Sequence, residues 1–268
     1  MIIGNKKFDF ENKAYIMGIL NMTPDSFSDG GKYNNLDDAL FRVESMINDG
    51  ATIIDIGGES TRPGYTKISD DEEIERIIPI IESVKKCFDT VVSVDTYKSK
   101  VAKAALESGS DMINDIWGLK GDMAMASVVA SYNVPICIMH NRENTDYNDY
   151  MTDVINDLKE SVDIALRSGI KEDNIILDPG VGFAKDFEQN LQVINNVNRI
   201  VDLGYPVLLG TSRKSVIAKA LDLPVDERVE GTIATTVLGY EKGCRIFRVH
   251  DVKENIRALR MSEAILNS

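Results

Sequence analysis

Short apolar, β-branched runs recur along the chain at 16–20, 52–56, 91–94, 112–113, 134–139, 175–177, 207–209 and 246–249. Between them the apolar positions shift to helical spacing, most clearly over 36–48, 72–87 and 187–203, and a last amphipathic stretch covers 255–266. Ser69 followed by Glu72 has the form of a capping box opening the second of these helices. The helix exits are marked as well. Gly50, Gly109, Asn133, Gly169, Gly204 and Gly243 each end a helical pattern shortly before the next strand, and Gly or Asn suits the left-handed position that closes a helix. Strand and helix alternating in this way give parallel strands with helices outside. Eight strands, seven connecting helices and a terminal helix predict an α/β fold, a (β/α)8 TIM barrel. Residues 1–12 read as a short N-terminal β-hairpin closing the barrel bottom, and residues 1–268 read as a single domain. A doubly wound open sheet is the other arrangement of the same alternation. The short intervals between the third and fifth strands predict short third and fourth helices.

Length and composition agree with one barrel. The chain has 268 residues, enough to bury about three quarters of the surface of the unfolded chain without disulfides or a structural metal. Three cysteines, Cys87, Cys137 and Cys244, stand apart with no metal-ligand spacing, which points to a reducing compartment. The first residues carry no apolar signal-peptide core, and no run approaches the length of a membrane span. A cytoplasmic protein without membrane contact is expected. Thirty basic against 43 acidic side chains give a net charge of −13, which argues against nucleic acid as a partner. A small anionic substrate remains compatible, because a local cluster of basic side chains and backbone N–H groups suffices to hold it.

The polar residues fall where a barrel does its chemistry, at the C-terminal ends of the strands. The runs end in turn at Asn21, Asp55, Asp95, Asn114, His140 and Asp178. The seventh leads into Thr211-Ser212-Arg213-Lys214, and the eighth carries Arg248 and His250. Strand periodicity places Ile246, Arg248 and His250 on one face, read as the interior. The same count puts Asp95 with Ser93 and Asp178 with Ile176. His140, closing an apolar run, is expected to be a satisfied structural residue. Asp55 reads equally as an anchor for the loop behind it or as part of the site. Asp95, Asn114, Asp178, Lys214 and Arg248 on one rim leave charges that need a ligand or one another.

Two loops are dense in small residues, hydroxyls and carboxylates: Asn21-Met22-Thr23-Pro24-Asp25-Ser26-Phe27-Ser28-Asp29-Gly30-Gly31, and Asp55-Ile56-Gly57-Gly58-Glu59-Ser60-Thr61-Arg62-Pro63-Gly64. Both suit a lid over a phosphate-bearing substrate and are expected to be the least ordered segments without ligand. Residues 18–29, around the first loop, and 50–63, around the second, with Val94-Asp95-Thr96, Ile113-Asn114-Asp115, Asp178-Pro179-Gly180-Val181-Gly182-Phe183, Ser212-Arg213-Lys214-Ser215 and Arg248-Val249-His250, resemble the motifs of the dihydropteroate synthases, in the family's order over residues 16–250. The resemblance departs after His140, where Asn141-Arg142-Glu143-Asn144-Thr145-Asp146-Tyr147 stands in place of the usual Met or Gln-Gly-Pro-type stretch.

The resemblance implies a transferase of folate biosynthesis that joins (7,8-dihydropterin-6-yl)methyl diphosphate to 4-aminobenzoate, by an SN1-like path with Mg2+ assisting diphosphate departure. It implies Asp95, Asn114, Asp178, Lys214 and Arg248 as pterin contacts, with Phe183 and Met139 as apolar walls. Asp95, Lys214 and Arg248 are the implied catalytic groups. Asn21, Thr61, Arg248 and His250 are implied for the diphosphate, with Asn21 as the metal ligand. Phe27, Thr61, Arg62, Pro63, Lys214 and Ser215 are implied for 4-aminobenzoate. A homodimer through helices distant from the site goes with the family. Two other readings share the pocket: a methyltetrahydrofolate-dependent corrinoid methyltransferase, and a non-catalytic pterin-binding paralogue.

Overall fold

A computed structural model describes residues 1–22, 32–60, 67–266 and 268. Eight parallel strands form the barrel: β3 (Tyr15–Asn21), β4 (Ile53–Gly57), β5 (Val91–Asp95), β6 (Met112–Asp115), β7 (Ile136–Met139), β8 (Ile175–Asp178), β9 (Leu208–Leu209) and β10 (Ile246–Val249). The ladder runs from β8 through β7, β6, β5, β4 and β3 to β10 and β9. A parallel bridge between Leu177 and Val207 joins its two ends, so the sheet closes on itself and the open-sheet alternative falls away. Before the barrel, β1 (Ile2–Ile3) and β2 (Lys6–Lys7) pair as the expected antiparallel hairpin.

Around the barrel lie α1 (Lys32–Asp49), α2 (Asp70–Cys87), α3 (Ser99–Glu107), α4 (Met125–Tyr132), α5 (Tyr150–Arg167), α6 (Phe187–Asn195), α7 (Asn198–Val201), α8 (Ser215–Leu221), α9 (Val229–Glu241) and α10 (Val252–Leu266). The third and fourth helices are short, 9 and 8 residues against 18 for α1, α2 and α5. All six predicted helix exits take positive φ, from 53° at Asn133 to 113° at Gly50.

Two local expectations are corrected. The stretch 187–203 is not one helix but α6 and α7, because the backbone turns at Asn196 and Val197. The capping box at Ser69 is half made. Ser69 Oγ accepts the Glu72 N–H at 3.2 Å, while the Glu72 carboxylate binds Arg76 one turn on, at 2.5 Å. A complete box opens α6 instead, where Asp186 and Gln189 cap each other reciprocally.

Strand alternation divides the core in two. Outward-facing Ile54, Ile56, Val92, Val94, Ile113 and Leu177 pack against the helices. Inward-facing Met17, Ile53, Val91, Met112, Ile176 and Ile246 fill the lower barrel, capped from below by Ile3 and Phe8 of the hairpin. One turn of the pleat higher, the inward set becomes Asp55, Ser93, Asn114, Met139, Asp178 and Arg248. Apolar packing thus stops halfway up the barrel and polar groups take over towards the C-terminal mouth.

Candidate active site

Arg248 organises the polar half. Its Nε donates to Asp55 Oδ2 at 2.5 Å and its Nη2 to Asp95 Oδ2 at 2.6 Å. Asn114 donates to the same Asp55 oxygen at 3.3 Å. Asp55 is wholly buried. Its position beneath the guanidinium makes it a support for Arg248 rather than an anchor for the loop after β4. The Asp55 and Asp95 charges hold Arg248 firmly protonated against the effect of burial. Asp95 shows the opposite balance. Burial raises its carboxyl to about 7, and Arg248 only partly offsets this while Asp55 adds to the rise. Its second oxygen, Oδ1, is buried with no hydrogen-bond partner.

Asp178 lies across the barrel. Its Oδ1 accepts the Gly180 N–H at 2.7 Å, and burial raises its pKa although Lys214 pulls the other way. The turn that makes this bond requires glycine. Gly180 has φ +68°, and a Cβ there would lie 1.9 Å from the His140 carbonyl oxygen. Lys214 opens α8. Its Nζ reaches the Val181 carbonyl oxygen at 2.5 Å and sits 4.9 Å from the Phe183 ring centroid. Burial lowers its pKa to about 8. The Val181 bond ties β9 to the loop after β8.

At the rim, Asn21 ends β3, and its Oδ1 lies 3.8 Å from where a Cβ on Gly57 would stand, with Asp95 on the other side of that glycine. Ser212 Oγ accepts the His250 N–H at 3.1 Å and meets His250 Nδ1 at 2.9 Å. The two contacts hold the His250 ring at the rim beside the turn that leads into Lys214. Met139 is buried on the inward face of β7, and Ser215 is exposed at the first turn of α8. Phe27, Thr61, Arg62 and Pro63 lie outside the described residues, as do residues 23–31 of the first loop and 61–64 of the second, on which the expectation of low order falls. Among the described residues the structure therefore brings together Asp95, Asn114, Asp178, Lys214 and Arg248, with Asn21, Phe183, Met139, Ser215 and His250 around them.

Several motif residues prove to be framework. Asp115 accepts the Trp117 and Leu119 N–H groups at 2.8 and 2.7 Å and shapes the turn after β6. Arg213 adopts φ 57° and pairs with Asp251, tying the turn before α8 to the one before α10. His140 is the satisfied structural residue expected. It is buried, meets Asp157 at 3.0 Å, and burial lowers its pKa to about 4. The unusual residues after it serve the same purpose, since Arg142 donates to Asp157 at 2.5 and 3.2 Å and lies over the Tyr147 ring. Two features escaped the sequence reading. Lys185 reaches His140, and Lys98 sits between Glu59 and Glu73 at 2.8 and 2.7 Å. Glu59 also accepts the Ile68 N–H at 2.9 Å, so it joins the two sides of the loop after β4. Nothing in strand or helix periodicity signals either lysine, because both act across loops far apart in sequence.

Fold and site together define a closed parallel (β/α)8 barrel whose C-terminal mouth gathers buried carboxylates, an amide and basic side chains. The pterin binding enzyme family matches residues 17–250. A dihydropteroate synthase of Clostridium beijerinckii is 60% identical over 267 residues, 99% of each chain. The crystal structure of a dihydropteroate synthase from Clostridium difficile in the presence of pteroic acid superposes with a TM-score of 0.96 at 53% identity, over 98% of this chain and 100% of that one. That of Xanthomonas albilineans dihydropteroate synthase with 4-aminobenzoic acid gives a TM-score of 0.92 at 37% identity, over 96% and 94%. The chain belongs to the pterin-binding enzymes, and within them to the dihydropteroate synthases.

Proposed function

We propose that the barrel mouth joins 4-aminobenzoate to (7,8-dihydropterin-6-yl)methyl diphosphate. The bond from the exocyclic methylene to the diphosphate oxygen breaks, a bond from that carbon to the aromatic amine forms, and the amine gives up a proton. The observation that carries this reading is the convergence of Asp95, Asn114, Asp178 and Arg248 from four strands, and of Lys214 from the start of α8, onto one half of the barrel.

Each group has a role that follows from its chemistry. Asp178 accepts the ring N3–H and 2-amino group together, a paired charge-assisted contact. Its Oδ1 is pre-aligned by Gly180 and each oxygen keeps a lone pair for the ring. Asn114, steadied by Asp55, gives and accepts on the neighbouring ring edge. The unpartnered oxygen of Asp95 meets a ring donor. As the diphosphate leaves, positive charge grows on the pterin, and Asp95 in its ionised form offsets it. Lys214 donates to the ring carbonyl, with Phe183 and Met139 as apolar walls. Arg248, held by two carboxylates, presents a flat guanidinium to ring and phosphate. His250 holds a diphosphate oxygen. Thr61 completes the diphosphate contacts, and 4-aminobenzoate lies towards Phe27, Thr61, Arg62, Pro63, Lys214 and Ser215. The path is SN1-like. Ionisation precedes attack by the neutral amine, so no general base is needed before the C–N bond forms.

The residues fit Mg2+. A hard cation takes oxygen ligands, and on phosphate substrates it needs only one or two from the protein. Asn21 offers one such oxygen at the rim, although among the described residues no three His, Cys, Asp or Glu side chains gather as a metal cluster. Asn21 would hold the ion, which would supply positive charge to offset that of the departing diphosphate. We further propose that the chain acts as one domain in the cytoplasm and as a homodimer. Among the described residues no helix is long and apolar enough to cross a membrane. A groove on the outside of the barrel between α6, α8 and α9 exposes Leu191, Leu221 and Leu238, the kind of apolar face that a second copy covers.

The test is release of diphosphate by the purified protein given the dihydropterin diphosphate and Mg2+, with and without 4-aminobenzoate. Release that depends on 4-aminobenzoate and yields dihydropteroate supports the reading. Absence of release with pterin still bound overturns it, and a corrinoid methyl-transfer assay then separates the methyltransferase from the inactive paralogue.

A further inference from the structure

Lys185 takes no part in the chemistry above, yet it stands at the base of the loop that carries Asp178 and Phe183. Its Nζ lies 2.8 Å from His140 Nδ1, 3.0 Å from the Gly180 carbonyl oxygen and 3.0 Å from the Phe183 carbonyl oxygen. An ammonium has three donors, and here all three are matched inside the protein. With Nδ1 accepting from Lys185, the His140 proton sits on Nε2 and points to Asp157 at 3.0 Å. Asp157 is held in turn by Arg142. The chain of contacts therefore runs from α5, through the end of β7, into both ends of the 180–183 turn. Lys214 grips the same turn from the other side at the Val181 carbonyl. Burial lowers the Lys185 pKa to about 7, with the Asp178 and Asp157 charges opposing the fall.

We propose that Lys185 is a positioning residue for pterin recognition: its ammonium ties the two ends of the 180–183 turn to His140 and so fixes Asp178 and Phe183 relative to each other. The proposal rests on the reading of Asp178 and Phe183 as pterin contacts. It separates the two lysines by function. Lys214 faces both substrates, whereas Lys185 spends its donors on the turn and on His140 and acts only through Asp178 and Phe183. Its loss therefore weakens the pterin side alone.

The test is calorimetric binding of 6-hydroxymethylpterin to the full chain and to Lys185→Met and Lys185→Arg, with KM measured for both substrates. Loss of the two hydrogen bonds to the turn and the one to His140 is expected to lower pterin affinity about tenfold or more in Lys185→Met. The KM for the dihydropterin diphosphate rises in step, that for 4-aminobenzoate stays within about twofold, and Lys185→Arg recovers part of the loss. Pterin affinity equal to that of the parent in folded Lys185→Met, or an equal rise in both KM values, overturns the proposal. Should Lys185→Met fail to fold, Asp157→Asn decides, because it loosens His140 from outside the site. A fall in pterin affinity without a matching change for 4-aminobenzoate supports the role, and unchanged affinity overturns it. A protein that binds pterin and shows the Lys185 effect but releases no diphosphate overturns the proposed reaction and leaves the positioning role standing.

Discussion

The carboxylates of the barrel mouth differ because their neighbours differ. Asp55 and Asp95 share one guanidinium, but Asp95 keeps an unpartnered oxygen and a pKa near 7. The folded state therefore binds the Asp95 proton more tightly than the unfolded chain, whose aspartates titrate near 4. Stability is lost as pH rises between those two values. We expect Asp95→Asn to remove that slope in urea denaturation measured across pH, and at pH 8 to match or exceed the parent in stability while turnover falls about a hundredfold or more. A slope that persists in the variant places the titration elsewhere. Asp55→Ala should do the reverse. It strands Arg248 with half its support and costs about 3–5 kcal/mol of stability in the same denaturation assay. At this scale the sequence was most informative, since each strand end names its polar residue. The pairing of those residues was not legible. Asp55 reads the same in sequence whether it touches ligand or holds Arg248, and only the 2.5 Å contact decides between them.

Among the elements, the turn from β8 into α6 holds the most consequence. Gly180 leaves no room for a Cβ against the His140 carbonyl. Gly180→Ala should therefore move the turn and abolish pterin binding in calorimetry while the helical circular dichroism stays that of the parent; retained binding contradicts the tight packing described. His140 adds a second consequence. Its folded pKa, near 4, lies below the ordinary histidine value, so its contribution is present at neutral pH and lost as pH falls from about 6.5 to 4. His140→Gln is expected to flatten the denaturation profile in that window, and an unchanged profile places the proton uptake elsewhere. Element type was readable because the apolar period changes sharply from strands to helices. Element ends were less so. The period of 187–203 runs on through Asn196, where the backbone leaves the helix, and the partner of Glu72 is chosen by Arg76 one turn away rather than by Ser69.

Over the whole molecule, eight strands with inward alternation give an apolar lower barrel and a polar upper one, and the family motifs all lie at the polar end. That division was legible because strand period groups Arg248 with Ile246 and Asp178 with Ile176, and the residues below them fill the lower barrel. The closed barrel was expected from the alternation, but the contact that closes it, Leu177 against Val207, was not legible, since a single bridge leaves no mark in the chain. The outer groove of α6, α8 and α9 carries its own prediction. Leu221→Glu with Leu238→Glu should convert a dimer into a monomer in sedimentation velocity without loss of pterin binding; a parent that sediments as a monomer contradicts the proposed assembly.

The claim on which the rest depends is that Asp178 reads the pterin ring. Its direct test is the affinity of the parent and of Asp178→Ala for 6-hydroxymethylpterin, measured by calorimetry on protein shown to be folded. Loss of a buried, charge-assisted acceptor predicts a weakening of about 1–3 kcal/mol, roughly 5- to 150-fold. Equal affinity in parent and variant would place the ring elsewhere and contradict the account.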